Sequence, residues 1–583
     1  MSFHHARAHI VLVCCAVAGL MLGCFESRTV LEDVSDGGML AATTKDRGAL
    51  GNGLDAADAG SSNPMDAQTV CGDHRVCEQL TIENIDKVDL LFVIDNSNSM
   101  HDKQRSLTAQ FPHLLETLTT GDMDGDGKPE FPPAKDLHLG VVSTDMGLVD
   151  VDGVRGCIGL GDDGLLQHTP SPELMGCAEA YPPFLIEAAN LDAGTGAPQT
   201  ANDLACIATL GTGGCGFEQP LEAALKALWP SVDPVTAPMN ENRITFLAEG
   251  GHVNSLSHGD RENLGFLRND PALGMSLIAV LVVSDEDDGS SLDTHHFTLM
   301  PDPSDPLSEQ PLNLRNHYNP DELYPISRYV AGLQELRHGR DDLVVFGAIA
   351  GVPPDLVDAQ HTGGIAEDAM AREAFYDAVL DDPRMQEQVD PASMAVPGAG
   401  NLLPSCPSGP GALAYPPRRL VETARGFGEN GFVQSICASD FGPAIDTLAK
   451  HIGAQLGARC LDQPLTRGDD GLVSCKVLWA LPVPGTAPGA VPNRCDTPGF
   501  EFLLPPGSGY PAELPDGSAL CEVEQLPVFD AEVSVNPTNM QREGWFYDDF
   551  AATQECRRGS TARINFSPNA KPPTDVRVFL DCK

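Results

Sequence analysis

Basic residues are scarce in this chain. Lys and Arg number 36 against 83 Asp and Glu in 583 residues, a formal net charge of −47. No basic stripe is visible, which excludes a nucleic-acid phosphate backbone as partner. The surplus of carboxylates suits a soluble, self-repelling surface that attracts cations. Tight Cys-x-x-Cys pairs are absent, so the cysteines do not read as zinc sites. Gly-x-Ser-x-Gly and His-Glu-x-x-His are also missing, which removes two common hydrolase signatures. No internal repeat is evident. Nothing after the N-terminus is apolar for long enough to span a membrane, since Ser276 to Val283 is far too short.

What is present begins with an export signal. His4, His5, Arg7 and His9 precede an apolar run from Ile10 to Leu22 that ends in small residues. Met21-Leu22-Gly23-Cys24 resembles a bacterial lipobox, with Met21 where leucine is usual. That resemblance implies a signal over 1–23 and lipidation at Cys24; simple secretion with cleavage nearby is the alternative. Phe25 after Cys24, by resemblance to enterobacterial sorting, leans to the outer membrane. Residues 24–68, rich in Gly, Ala, Asp, Ser and Asn, read as a flexible tether.

Cysteine usage agrees with export. Of 17 cysteines, Cys14, Cys15 and Cys24 belong to the signal and anchor, leaving an even number for disulfides. Short-range pairs are expected for Cys71 with Cys77 (a clip over 69–84), Cys157 with Cys177, Cys206 with Cys215, and Cys406 with Cys437. The last six, from Cys460 to Cys582, allow 15 connectivities.

One stretch organises the rest: Val88-Asp-Leu-Leu-Phe-Val-Ile-Asp95-Asn-Ser97-Asn-Ser99. The continuous apolar run from Leu90 to Ile94 suits a strand buried on both faces of a parallel sheet. Ligands of open α/β sheets bind beyond the carboxyl ends of such strands. Asp95, Ser97 and Ser99 stand there and offer hard oxygen donors for Mg²⁺ or Ca²⁺. A solvated Ser-rich turn is the plainer reading. Leu137 to Ser143, Ser276 to Val283 and Leu343 to Ile349 read as further buried strands. Leu107 to Leu118, Leu323 to Leu336 and Ile445 to Leu456 have helical spacing. This strand–helix alternation predicts an α/β, doubly wound and mostly parallel sheet.

Asp-x-Ser-x-Ser after a hydrophobic strand resembles the metal-ion-dependent adhesion site of von Willebrand factor A (vWA) domains, here in an exported, cysteine-containing bacterial lipoprotein. The resemblance implies a Rossmann-like vWA domain over 85–457, with insertions at about 147–216, 286–320 and 352–430. A small Cys-rich β module follows at 458–583. It implies a Mg²⁺ or Mn²⁺ ion held by Asp95, Ser97, Ser99 and Asp285, with an open position filled by an acidic side chain of a protein partner. Where the family has a coordinating threonine, this chain has Cys215 to Glu218. The fourth ligand is therefore open between Glu218 and Thr212. Glu218 makes such a centre more negative. Glu286 to Asp288 read either as groups around the ligands or as a solvated acidic turn, with Asp287 and Asp288 assigned to the turn.

A second acidic loop, Asp122, Asp124, Asp126 and Glu130, has the alternation of a calcium loop. Pro133 stands where an EF-hand needs glutamate, so the pattern fits a shorter Asp-rich Ca²⁺ loop, or a plain acidic turn. His295-His296 has no chelating spacing and reads as solvated loop. Arg467-Gly468-Asp469 reads as a charged turn rather than an adhesion tripeptide. Three functions follow. The first is a non-enzymatic, lipid-anchored vWA-type binding protein. The second is an envelope protein using metal only for stability. The third is a secreted metal-dependent hydrolase.

Overall fold

The computed structural model describes residues 76–80, 85–188, 196–231, 244–247, 256–269, 275–338, 340–358, 368–395, 400–406, 413–457, 461, 464–481, 500–504, 519–529, 542–549, 562–567, 570 and 577–582. The signal, Cys24, the tether and Cys71 of the expected clip lie outside the described residues.

Strand β1 (Val76–Leu80) does not join the strands that follow it. It lies antiparallel to the last strand of the chain, with Val76 opposite Cys582 and Leu80 opposite Val578. The central sheet contains β2 (Lys87–Ile94), β3 (Asp136–Ser143), β4 (Leu185–Ala188), β5 (Leu277–Val283), β6 (Val344–Ala350) and β7 (Gly431–Ser435). Its order is β4-β3-β2-β5-β6-β7. All neighbours are parallel except the antiparallel pair β3–β4, so this is a mixed, mostly parallel α/β sheet. β5, Leu-Ile-Ala-Val-Leu-Val-Val, is buried at every residue, as a strand covered on both faces must be.

Alternation along β2 divides the core. Leu90, Phe92 and Ile94 face one cluster, with α2 (Phe111–Thr120), α3 (Gly196–Ala208) and the closing helix (Gly442–Gln455). Leu91 and Val93 face the other, with α4 (Pro220–Leu228) and the helices Ser327–Glu335 and Arg418–Gly426. The expected single helix after Ser99 is two: α1 (His101–Thr108) and α2. Pro112 sits in the first turn of α2, where its missing N–H costs nothing; further inside a helix it would break the ladder.

The stretch 147–216 is not structureless, since it supplies β4 and α3. Two expected disulfides are corrected. Cys157 pairs with Cys215 and Cys177 with Cys206, while Cys406–Cys437 forms as expected. The cores explain the exchange. Cys177 and Cys206 pack at the large cluster under α3, whereas Cys157 and Cys215 belong to a separate small cluster with Leu148, Val151 and Phe297. Nearness in sequence was a poor guide because α3 carries Cys206 away from Cys215.

Beyond Gly457 the chain forms β8 (Cys475–Leu481), β9 (Phe500–Leu504), β10 (Ala519–Val523), β11 (Trp545–Asp548), β12 (Arg563–Phe566) and β13 (Arg577–Cys582). Five strands form an antiparallel sheet in the order β1-β13-β8-β10-β9, and β11 pairs with β12. Trp479, Trp545, Tyr547 and Phe566 fill its core. Cys475 and Cys582, opposite each other in register, are joined. Both crossings between the sheets lie at the N-terminal edge of the parallel strands, where Ile85 bridges Gly457.

The four disulfides placed among the described residues fit a chain outside the reducing cytoplasm. No helix among the described residues is long and apolar enough to cross a membrane.

Candidate metal centre

The carboxyl ends of β3, β2 and β5 set the centre. The Asp95 N–H donates to Val283 O at 2.9 Å and the Thr144 N–H to Ile94 O at 3.2 Å, so the parallel ladders run one step past the strands. Thr144, Asp95 and Ser284 thus stand side by side. Asp95 is buried. Its Oδ1 accepts the Ser97 N–H at 2.7 Å and its Oδ2 accepts the Ser284 hydroxyl at 2.8 Å. Gln104 Nε2 donates to the Asp95 carbonyl at 2.8 Å and to the Gly211 carbonyl at 2.9 Å, tying α1 and the glycine loop to the same turn.

Ser97 and Ser99 hydroxyls lie 3.3 Å apart. Ser99 donates to Asp285 Oδ1 at 3.0 Å, and Lys103 donates to Asp285 Oδ2. Lys103 also reaches the Leu413 carbonyl at 2.9 Å, and the Tyr415 N–H donates to the Asp285 carbonyl at 2.8 Å. Leu413 and Tyr415 therefore close over the Asp285 side. Asn98 and Ser99 are exposed, so the other side stays open.

Glu218 enters from the loop before α4 and is 2 % exposed. Its Oε1 is buried without a hydrogen-bond partner, as is Thr144 Oγ1. Burial, then the charges of Glu286, Asp95 and Asp285, hold the Glu218 carboxyl well above its ordinary range. Burial followed by Asp285 pushes Asp95 up, and burial followed by Asp285 and Asp95 pushes Glu286 up. The structure thus gathers Asp95, Ser97, Ser99, Glu218, Asp285 and Glu286. No hydrogen bond among the described residues joins Thr212 to them.

Buried oxygens without partners are costly unless a cation or water satisfies them. The donors are all hard oxygens, which fits Mg²⁺, Mn²⁺ or Ca²⁺. Asp95, Glu218, Ser97 and Ser99 can offer those oxygens, with Thr144 beside them and Asp285 orienting Ser99. The carboxylates do not crowd as tightly as in the second acidic loop. There Asp122, Asp124, Asp126 and Glu130 bring oxygens within 4.8 Å of one another. That loop is largely exposed, and Asp122 holds it shut by accepting the Gly125 and Gly127 N–H groups at 2.8 Å each.

Several neighbours were missed in the sequence. Asp287 and Asp288 are no solvated turn. Asp288 is buried, accepts the Leu221 N–H at 3.0 Å and pairs with Arg419 at 3.0 Å. Asp287 accepts the Arg419 N–H at the start of the helix Arg418–Gly426, and burial pushes it up to about 7. Together they seat two helix N-termini beside the centre, as carboxylates do. His296 is also buried, bonded to Asn316 at 3.0 Å, while His295 is exposed. Lys103 could have been read from its position one helical turn after Ser99. Thr144 had no sequence signal, because its role depends on the register of β3 against β2. Arg467 packs on Tyr547 and donates to the Val528 carbonyl at 2.9 Å, a structural use of the Arg-Gly-Asp turn.

No known protein-family model matches the chain, and no curated protein matches it.

Proposed function

We propose that this chain is a non-enzymatic, lipid-anchored vWA-type binding protein of the bacterial cell envelope, anchored through Cys24 and leaning to the outer membrane. It holds one divalent cation, Mg²⁺ or Mn²⁺, at Asp95, Ser97 and Ser99, and docks a protein partner at the exposed Ser99 side. The observation that carries the reading is the partnerless Glu218 oxygen, buried beside Asp95 at the carboxyl ends of parallel strands. In this reading Glu218 takes the fourth-ligand place rather than Thr212. The exposed Asp122 loop is a second, weaker cation site suited to Ca²⁺.

The partners described for Asp95 and Asp285 are hydroxyls, amides and an ammonium. No histidine is among these partners, and binding is the reading proposed ahead of hydrolysis. The test is calorimetric titration of Mn²⁺, Mg²⁺ and Ca²⁺ into EDTA-stripped protein, beside Asp95→Ala combined with Ser97→Ala. The expected result is a Mn²⁺ or Mg²⁺ event lost in the double variant. An event unchanged in the variant would move the cation to the Asp122 loop and sink the proposal. A purely structural use of metal would instead show as Ca²⁺-dependent melting, with no partner captured when metal is restored.

A further inference from the structure

A lysine ammonium and an aspartate carboxylate are the two halves of an amide, and the chain buries such a pair against α4. Lys226, in the last turn of α4, is 1 % exposed at its side chain, and its Nζ lies on Asp163 Oδ1; Asp163 is 14 % exposed. The Phe246 ring, 5.7 Å from Nζ, backs the pair with an apolar wall. Three further hydrogen bonds hold the partners together. Asn263 Nδ2 donates to the Gly164 carbonyl at 3.0 Å and to the Ala227 carbonyl at 3.1 Å, joining the Asp163 loop to α4. The His258 N–H donates to the Lys226 carbonyl at 3.0 Å. Gly164 lies so close to α4 that a Cβ there would stand 2.9 Å from the Ala223 carbonyl oxygen. Asp163 itself is held at φ 57°, a left-handed conformation uncommon for a residue with a side chain.

The other carboxylate oxygen is attended as well. His258 Nε2 lies 3.1 Å from Asp163 Oδ2, and its Nδ1 lies 2.7 Å from Glu262 Oε2. Burial opposes a charge on the ring, but the two carboxylates outweigh it and raise its pKa above the ordinary value. A charged ring donates from both nitrogens, so Glu262 turns Nε2–H toward Oδ2. The candidate metal centre uses none of these four groups. A second buried pair, Lys103 with Asp285, has the Ser99 hydroxyl where this one has a histidine.

We propose that Lys226 and Asp163 condense into an intramolecular isopeptide bond, with His258 as the catalytic residue. One proton passes from Nζ to the Oδ1 it touches, leaving an amine and a carboxylic acid. Nζ adds to Cγ and forms the C–N bond while negative charge gathers on Oδ2, where His258 Nε2–H stabilises it. Oδ1 takes a second proton from the nitrogen, its bond to Cγ breaks, and it departs as water. Oδ2 stays as the amide oxygen. An ammonium and a carboxylate thus become an amide and one water, and nothing else is consumed. Fixed apposition supplies the effective concentration that a free amine and acid lack in water. The bond ties to α4 the loop carrying Asp162, whose Oδ2 accepts the Ser143 hydroxyl at 2.6 Å.

Tryptic mapping of the full chain, reduced and alkylated, reads the bond directly. Trypsin cuts after Arg155, Lys226 and Arg243, so an open chain yields peptides 156–226 and 227–243. An amide on Nζ blocks cleavage after Lys226. The expected product is one peptide, 156–243, lighter than its sequence by one water. Lys226→Arg and Asp163→Ala should each restore both cleavages with no water lost. His258→Gln should slow bond formation about a hundredfold, read as the linked fraction against time after folding. Wild type that yields only 156–226 and 227–243 at full mass holds an ordinary ion pair, and the proposal falls. It falls too if water is lost from 156–226 while cleavage after Lys226 persists, since that marks a succinimide at Asp163-Gly164. Linking at an undiminished rate in His258→Gln overturns the part given to the histidine.

Discussion

Asp288 is wholly enclosed, and its charge is balanced by Arg419 and by backbone N–H groups. Replacing it with alanine leaves the guanidinium, itself largely buried, without that partner. Asp288→Ala should cost about 3 kcal/mol of unfolding free energy, read from the urea midpoint. His451 supplies a pH probe far from the centre. Its ring stacks on Phe432, with centroids 4.7 Å apart, and Nδ1 lies 2.9 Å from the Thr447 carbonyl. Burial lowers its pKa to about 4 from an ordinary 6.5. The native state therefore binds fewer protons than the unfolded chain between those values. Its stability contribution is complete above pH 6.5 and lost as pH falls through 4. His451→Gln, which cannot protonate, should flatten that acid limb in melts taken from pH 7 to 4. At this scale the sequence was partly legible. Asp95, Ser97, Ser99 and Asp285 follow from strand ends alone. Asp287, Asp288 and His296 were misread because three-dimensional burial decides what an acidic or histidine run does.

Elements tell a different story. Long apolar strands were plain, because a sheet covered on both faces demands continuous hydrophobic runs. β4 and α3 were hidden among Gly, Pro and Cys, and the C-terminal strands β9, β10 and β11 were masked by short length. Disulfide partners depended on which of two cores each cysteine entered. The Cys157–Cys215 bond matters most to the centre, because Cys215 sits three residues before Glu218 and its N–H donates to Asp145 Oδ2 at 3.1 Å. Gly214 is pressed against Asn96: a Cβ there would lie 2.0 Å from Asn96 Oδ1. Cys157→Ser with Cys215→Ser should lower stability by about 3 kcal/mol in urea unfolding. It should also weaken Mn²⁺ binding, since the Glu218 loop loses its staple. Unchanged Mn²⁺ affinity in a folded double variant would remove Glu218 from the centre.

At the scale of the whole molecule, the chain's two described ends meet: β1 is the edge partner of β13, and β13 is stapled to β8. The sequence offered the C-terminal module but not its first strand, because β1 lies hundreds of residues from its partner. Deleting residues 1–84 should uncover the β13 edge. Limited proteolysis should then cut the C-terminal sheet faster while the six-stranded sheet persists.

The same arrangement has a mechanical consequence. The candidate centre sits at one end of β2, and the N-terminal stretch arrives at the other, about 26 Å away for eight extended residues. β2 is hydrogen-bonded to β3 on one flank and β5 on the other. A pull between a docked partner and the N-terminal side runs lengthwise along this strand. The hydrogen bonds of both flanks then bear the load together, in shear, rather than unzipping one at a time. Tension would leave through β1, which lies antiparallel on β13 and is loaded in the same sliding sense.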